Sequence, residues 1–345
     1  MSGAPPTFPA AEPPPFGTPR EVAPGVLWLR LPLPFKRDHV NVYLLQDGDG
    51  WAVVDTGIGD ARTQEIWEAV LSGPLRGSSL TRLFVTHSHP DHAGLAGWLT
   101  RRHALTLWMP RAEYLFSLAL QYAPSELGAE SWRAFYRRHG FDALAVGKVL
   151  GRGYRYLHHT TGVPGTYRRL RHGETIVIGG REFRVLTGGG HGLEQAMLYC
   201  AQDGLFLASD QILAGMFAGI TVTALEPEAN ALGAYLRSLA LLRREIAADA
   251  LVLSGHGLPF VGLHPRIDAV IAHHAERCAT IIEACRDVPR TAADLLAVVF
   301  PHPLDEQQTG FAFGEIVAHI NHLVAEGDLL AEPDEDGCLR YVPAP

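Results

Sequence analysis

The feature that most constrains this chain is the six-residue run His87-Ser88-His89-Pro90-Asp91-His92. Three histidines and an aspartate stand within it, directly after an apolar stretch at 83–86 that predicts a buried strand. Neutral imidazoles and carboxylates suit zinc, iron or manganese. A polar surface loop is the alternative, but such loops seldom crowd histidines this closely. The run therefore predicts a metal site at the end of a sheet.

Three further candidate ligands stand far along the chain, each after a predicted strand. They are His191, Asp210 and His256. Glycine flanks both histidines, and glycine lets a backbone approach a crowded centre closely. One strand-end histidine alone would more often be an ordinary loop residue. The shared placement of all three indicates that they complete a two-metal site that six residues cannot enclose.

The rest of the pattern alternates between strand and helix. Short runs rich in valine, leucine and aromatic residues predict strands at 26–31, 40–45, 51–54, 83–86, 105–109, 175–178, 182–186, 196–200, 205–208 and 251–253. Helical spacing predicts helices at 61–71 and 94–103 and a long one around 267–282. This alternation predicts an α/β fold.

The metal-binding residues carry a family resemblance. The motif His-x-His-x-Asp-His at 87–92, followed by His191, Asp210 and His256, resembles the metallo-β-lactamase superfamily in order and spacing over about residues 25–275. The resemblance implies an αββα sandwich with its site at one edge between the sheets. It also implies two divalent metal ions, with zinc favoured over iron or manganese. The implied ligands are His87, His89 and His191 for one ion, Asp91, His92 and His256 for the other, and Asp210 as the bridge.

The resemblance also implies a reaction. Two cations that share a water lower its pKa towards neutrality, and the bridging hydroxide attacks a carbonyl or phosphorus. Asp91 takes the catalytic role of orienting that hydroxide and handling its proton. Asp55 resembles the family aspartate that supports the ligands from behind, although an aspartate after a strand can equally be a plain turn cap.

Departures from named subfamilies narrow the substrate. Zinc β-lactamases with a cysteine ligand would have cysteine at Asp210, and flavin-linked di-iron oxygen reductases carry glutamate at His89. Glyoxalase II is similar in all seven ligands, so the site is predicted to be glyoxalase II-like. Its tail is basic, however, and glyoxalase-like enzymes often have histidine where Gln195 stands. Glutathione thioesters therefore stay open as substrates, but these residues give them no support.

We predict three regions along the chain. Residues 1–24 contain eight prolines and are expected to form a flexible or extended arm. Residues 25–288 are expected to form the catalytic domain, with a helical, aromatic insertion at 111–172 that has ten basic and four acidic residues. We hypothesise that this insertion covers the metal cleft and recognises a substrate with an anionic and an apolar part, partly through Arg137, Arg138, Arg168 and Arg169. Ordinary solvated helices are the alternative.

Residues 289–345 predict a small winged-helix-like domain of helices followed by a hairpin. Thr291 and Asp294 form a capping-box pattern at its start. The unit resembles the tail of β-lactamase-like endoribonucleases, but residues 291–345 carry one basic and ten acidic side chains. Such a surface repels phosphates. We therefore expect packing, homodimerisation or support of the site, and no nucleic acid partner.

Three functions stay open. Hydrolysis of an ester, thioester or lactone comes first, an RNA or phosphodiester hydrolase second, and a mono-iron persulfide dioxygenase-like oxidoreductase third. The formal charge of −8 and the lack of a bilayer-length apolar run favour a small-molecule substrate over a membrane. No signal peptide and no CxxC pair are visible, so a cytoplasmic protein with free thiols is expected.

Overall fold

The computed structural model describes residues 6–10, 12–122, 129–150 and 156–345, with backbone alone for Ala129 and Gln307. Parts of the predicted arm (1–5 and 11) and of the predicted insertion (123–128 and 151–155) lie outside the described residues. The chain divides into two compact units. Unit 1 comprises Met1–Tyr122, Arg155–Ala218 and Ser238–Ile267, and unit 2 comprises Ala123–Tyr154, Gly219–Arg237 and Asp268–Pro345.

Unit 1 contains a seven-stranded sheet whose strands follow one another in chain order. These are β1 (Arg20–Ala23), β2 (Val26–Pro32), β3 (His39–Asp47), β4 (Gly50–Val54), β5 (Leu80–Phe84), β6 (Leu107–Pro110) and β7 (Arg168–Leu170). Strands β1 to β4 pair antiparallel, and β4 to β7 pair parallel. Parallel neighbours need crossover connections, and the first two are supplied by α1 (Ala61–Ser72) and by α2 (Pro90–Ala93) with α3 (Ala96–His103). After β6 comes α4 (Arg111–Tyr122).

A second sheet of unit 1 has the order β12-β11-β10-β9-β8. Its strands are β8 (Thr175–Ile178), β9 (Arg181–Gly188), β10 (Gln195–Cys200), β11 (Leu205–Ser209) and β12 (Leu251–Ser254). Strands β8 to β11 are antiparallel neighbours, whereas β12 runs parallel to β11 after a connection through α7 (Ala231–Glu245).

Alternation along the strands explains the layering. On β2, Val26 and Trp28 join a core that also contains Phe183 of β9, so these faces of the two sheets pack together. Leu29 and Leu31 face the other way, into a core that contains Trp67 of α1. A strand places successive side chains on opposite faces. The predicted α/β sandwich, with helices outside paired sheets, is confirmed.

Two short strands differ from the sequence-based expectation. Arg20–Ala23, predicted as part of the arm, is β1, and Arg168–Leu170, predicted within a mostly helical insertion, is β7. Each has at most one buried residue, so neither shows the apolar alternation by which strands are recognised. Pairing with a neighbouring strand decides their conformation. The predicted ligand loop also contains a helical turn, α2, which carries His92.

Unit 2 is mainly helical. It contains α5 (Ala129–Arg138), α6 (Ala143–Leu150), most of α8 (Leu263–Ala284), α9 (Ala292–Val299), α10 (Glu306–Glu326) and the hairpin of β13 (Leu329–Pro333) and β14 (Leu339–Pro343). The predicted capping box of Thr291 and Asp294 is confirmed. Phe135 and Phe141 contact Phe313 of α10, so residues of the predicted insertion pack with the C-terminal helices. The winged-helix assignment and the lid over the cleft stay predictions.

Among helices in the described ranges, none combines the length and apolar character that a membrane crossing requires.

Candidate metal centre

The candidate ligands follow strand ends in both sheets of unit 1. His87 comes three residues after β5 in the first sheet. In the second sheet, His191 follows β9, Asp210 follows β11 directly, and His256 follows β12. Loops after strand ends can bring side chains together while the strands stay hydrogen-bonded. Residues more than a hundred positions apart in the chain therefore converge.

All seven predicted ligands are brought together in three overlapping groups. Within each group, the candidate ligand atoms lie within 4.8 Å of one another. The groups are His87, His89 and His191; His87, His92 and Asp210; and Asp91, His92 and His256. The overlap joins them into one continuous cluster.

Asp210 lies at the centre of the cluster. Its Oδ2 is 3.2 Å from His256 Nε2 and 3.4 Å from His191 Nε2, and its Oδ1 is 3.5 Å from His92 Nε2. Asp91 Oδ2 lies 3.3 Å from His256 Nε2. Asp210 thus contacts residues of both predicted trios, as a carboxylate that binds two ions must.

The donor atoms fit a metal. His92 Nε2, His256 Nε2 and Asp210 Oδ1 are buried, and among the residues that the structure describes none offers them a hydrogen bond of proper geometry. An unsatisfied buried polar atom costs about 1–3 kcal/mol, and these three point into the same small space. His87 Nε2 and His89 Nδ1 also face each other at 2.9 Å. A cation shared among nitrogen and oxygen donors would satisfy them.

Hydrogen bonds determine which ring nitrogen of His256 and of His92 can bind a metal. His256 Nδ1 lies 2.6 Å from the carbonyl oxygen of His39. A carbonyl only accepts, so His256 donates through Nδ1 and keeps the Nε2 lone pair for a metal. His92 Nδ1 likewise donates to Asp55 Oδ2 at 2.8 Å. Such partners behind a ligating histidine orient the ring.

Asp55 links a histidine of each predicted trio, His92 and His87, on the side away from the centre of the cluster. Its Oδ1 accepts a hydrogen bond from the Thr86 backbone N–H at 2.8 Å, and the Thr86 hydroxyl lies 3.0 Å from His87 Nδ1. Asp55 has a φ of +67°, which few residues other than glycine, asparagine and aspartate adopt. Because its carboxylate contacts His92 directly and reaches His87 through Thr86, Asp55 does more than cap a turn.

The electrostatics of the cluster suit cation binding. Burial lowers the pKa of His87 well below its ordinary value and that of His89 to about 3, so both rings are neutral and each has one nitrogen lone pair. Burial also disfavours charge on His256, but Asp210 and Asp91 outweigh it and raise its pKa to about 9. Burial alone would raise the pKa of Asp210, yet the nearby imidazoles lower it. A metal would therefore displace protons from the imidazoles beside the carboxylates.

Two residues next to the cluster were not predicted from the sequence. Glu113, on α4, is fully buried and binds backbone of the ligand loops. Its spacing with Ser117 and Leu120 on the buried face of α4 is the signal that could have revealed it. Arg37 Nη1 lies 3.7 Å from Asp210 Oδ2. Arg37 stands in a hairpin loop, where no periodic pattern marks a contact.

Comparison with known families agrees with this geometry. The model described as "Metallo-beta-lactamase superfamily" matches residues 36–256, a range that contains all seven candidate ligands. The model described as "Metallo-beta-lactamase-like, C-terminal domain" matches residues 278–344. Together they account for most of the chain.

Individual proteins agree as well. The chain is 24% identical over 313 residues to the protein named "Probable metallo-hydrolase YqjP" of Bacillus subtilis (strain 168), covering 87% of this chain and 92% of that protein. A beta-lactamase domain protein from Burkholderia ambifaria is 38% identical with a TM-score of 0.89, covering 98% of both chains. Metallo-beta-lactamase family protein TTHA1429 from Thermus thermophilus is 27% identical with a TM-score of 0.76, covering 94% of this chain and 100% of that one. The chain therefore belongs to the metallo-β-lactamase superfamily and is a metal-dependent hydrolase.

Proposed function

We propose that this hydrolase uses two divalent metal ions, preferably zinc, to cleave a small ester, thioester or lactone. The observation that carries the proposal is the pair of trios that share contacts with Asp210. In this proposal one ion is held by His87, His89 and His191, the other by Asp91, His92 and His256, and Asp210 binds both.

The residues around the centre have distinct tasks. When bound, the cation pair supplies Lewis acidity, which acidifies water and stabilises negative charge on the reacting oxygen. Asp91 is assigned the proton transfer because its side chain is 20% exposed, whereas that of Asp210 is 2% exposed. Burial opposes ionisation of Asp91, but His92 and His256 outweigh it and lower its pKa, so Asp91 is an ionised carboxylate that can bind a cation and accept a hydrogen bond from water.

The loop between β2 and β3 supports a substrate with an anionic and an apolar part. The backbone N–H of Leu33 donates to the Asp38 carbonyl at 2.8 Å, which closes the loop. Between them, Phe35 is 38% exposed, and the Arg37 guanidinium lies beside Asp210. A guanidinium binds a carboxylate or phosphate through paired hydrogen bonds. We therefore assign recognition of the anionic group to Arg37.

The arginines of the predicted insertion have other partners. Arg168 lies over the ring of Trp108 at 4.1 Å, and Arg169 pairs with Glu194 at 3.5 Å. Arg138 pairs with Glu228 at 3.8 Å. Each of these three side chains has a partner outside the candidate ligands, whereas Arg37 lies 3.7 Å from Asp210, which favours Arg37 for the substrate.

Metal content and substrate preference test the proposal together. Purified protein, stripped with a chelator and reconstituted with zinc, manganese or iron, is assayed on p-nitrophenyl acetate, an acyl thioester, a lactone and bis-p-nitrophenyl phosphate. We expect two metal ions per chain and turnover of the carboxylic substrates, with activity lost on chelation and restored by metal. Asp210→Ala serves as the blank for contaminating hydrolases. One iron per chain, or a preference for the phosphodiester, would contradict the proposal.

A further inference from the structure

Glu113 is a buried carboxylate whose oxygens are both used by backbone near the candidate metal centre. Its Oε2 accepts hydrogen bonds from the Ser88 backbone N–H at 2.9 Å and from the Ser88 hydroxyl at 2.6 Å. Its Oε1 accepts a hydrogen bond from the Glu194 backbone N–H at 2.9 Å. Glu113 is fully buried. Burying a carboxylate is costly unless such hydrogen bonds compensate it.

The two segments that Glu113 holds both carry candidate ligands. Ser88 stands between His87 and His89, and Glu194 comes three residues after His191. A Cβ on Gly192 would lie 2.7 Å from Glu113 Oε1, so the glycine allows this close approach. One segment follows a strand of the first sheet and the other follows a strand of the second. Glu113 therefore links the two chain segments that supply the candidate ligands His87, His89 and His191.

The side chain of Glu194 strengthens the same connection. Its Oε2 accepts a hydrogen bond from the Ala112 backbone N–H at 3.2 Å, and its Oε1 pairs with Arg169. Helix α4 and the loop after His191 thus exchange hydrogen bonds in both directions. The position of that loop depends on α4.

We propose that Glu113 is the positioning residue for His87, His89 and His191, as Asp55 is for His92 on the other side of the cluster. The inference rests on the proposed two-metal function. The two carboxylates act differently: Asp55 accepts directly from His92 and reaches His87 only through Thr86, whereas Glu113 holds the backbone on both sides of its trio. Residues that orient ligands typically contribute 10–100-fold to metal affinity.

Glutamine at position 113 isolates this role. It keeps the size of the side chain but replaces one acceptor oxygen by an NH₂ group, which cannot accept from a backbone N–H. Either the Ser88 or the Glu194 contact is then lost. We expect Glu113→Gln to weaken the His87, His89 and His191 site by about 10–100-fold while the Asp91, His92 and His256 site is unchanged.

Stepwise metal titration tests the inference without reference to activity. Metal-free wild type and Glu113→Gln are titrated with zinc by calorimetry in a competing chelator. The same substitution is then made in a His191→Ala background, in which the first trio is already broken. There the remaining zinc affinity should not respond to Glu113→Gln, whereas Asp55→Asn should still lower it. Glu68→Gln, an exposed carboxylate paired with Arg102, is the matched control and should change neither site.

The outcomes separate the two proposals. The role of Glu113 would be overturned if Glu113→Gln lowered the zinc affinity of both sites equally or of neither. It would also be overturned if the loss of affinity persisted in the His191→Ala background. A wild type that binds one zinc ion would overturn the two-metal function. The role of Glu113 would then be supported if Glu113→Gln lowers the affinity for that ion, and overturned if it does not. Should Glu113→Gln fail to fold by circular dichroism, Ser88→Ala removes only the hydroxyl contact, and a smaller selective loss is expected.

Discussion

Asp55 Oδ2 accepts a hydrogen bond from His92 Nδ1 at 2.8 Å, and both side chains are buried. The contact orients the His92 ring, so that Nε2 faces Asp91 and Asp210. It also joins residues that are 37 positions apart, one after β4 and one on α2. The orientation of a candidate metal ligand therefore depends on a carboxylate that does not itself face the centre.

Asp55→Asn should weaken metal binding by about 10–100-fold. Asparagine tolerates the positive φ of position 55, so the change removes charge and one acceptor without straining the backbone. The measurement is the rate at which zinc transfers to a coloured chelator. Asp60→Asn is the control because Asp60 caps α1 through the Thr63 N–H, a role that asparagine fills equally well. Equal transfer rates for both variants would argue against the role of Asp55.

Gly255→Ala should abolish the centre while leaving the fold intact. A Cβ at this position would overlap Asp210 Oδ1 and lie 2.8 Å from His92 Cε1. Displacing a catalytic group by about 1 Å can cost 100-fold in rate, so we expect at least that loss in kcat/KM together with lost metal. Gly215→Ala is the control, since a Cβ there would meet no atom within 4 Å. Full metal content in Gly255→Ala would refute this prediction.

Arg37→Ala should raise KM selectively for anionic substrates. A hydrogen bond to a charged group contributes about 1.5–3 kcal/mol, which corresponds to roughly 10–100-fold in binding. Matched esters with and without a carboxylate are compared in steady-state assays. Arg37→Lys should recover only part of the loss, because lysine lacks the paired donors. Arg102→Ala, an exposed arginine paired with Glu68, should leave both KM values unchanged. A similar KM increase for both esters in Arg37→Ala would exclude anion recognition by Arg37.

A buried histidine pair should make unit 2 sensitive to acid. His274 Nδ1 lies 3.0 Å from His319 Nε2, and His319 donates through Nδ1 to the Glu315 carbonyl. His319 Nε2 is therefore an acceptor, and both rings are neutral. Burial, followed by the nearby His319, lowers the pKa of His274 to about 3, and burial with the nearby Arg277 lowers that of His319 to about 4.

The unfolded chain takes up these protons near pH 6.5, before the folded chain does. Stability is therefore complete above that pH and is lost as the pH falls towards 4, by on the order of 1–2 kcal/mol per histidine at pH 5. Urea denaturation at pH 8 and pH 5 measures the loss. His274→Asn keeps a donor near the Nδ1 position and should reduce the difference, whereas the exposed control His302→Asn should not. An unchanged difference in His274→Asn would disprove the assignment.

Local patterns were sufficient for most of unit 1. Predicted strands at 175–178 and 205–208 agree with β8 and β11 to within one residue, because each is a short apolar run bounded by turn residues. Helix α1 was predicted from its apolar face and ends at Gly73, as expected. The short edge strands β1 and β7 were missed because their own residues carry no such pattern.

The candidate ligands could be predicted from the sequence, because their side-chain chemistry and their positions after strands are local properties. His87, His191, Asp210 and His256 could be named from one chain alone, and the structure brings them together. The residues that contact the ligand loops from outside the cluster could not be predicted in this way. Glu113 and Arg37 acquire their roles through contacts across 81 residues to Glu194 and across the fold to Asp210. Such contacts depend on how two sheets and a helix pack, and packing is a property of the folded chain that no short stretch of it encodes.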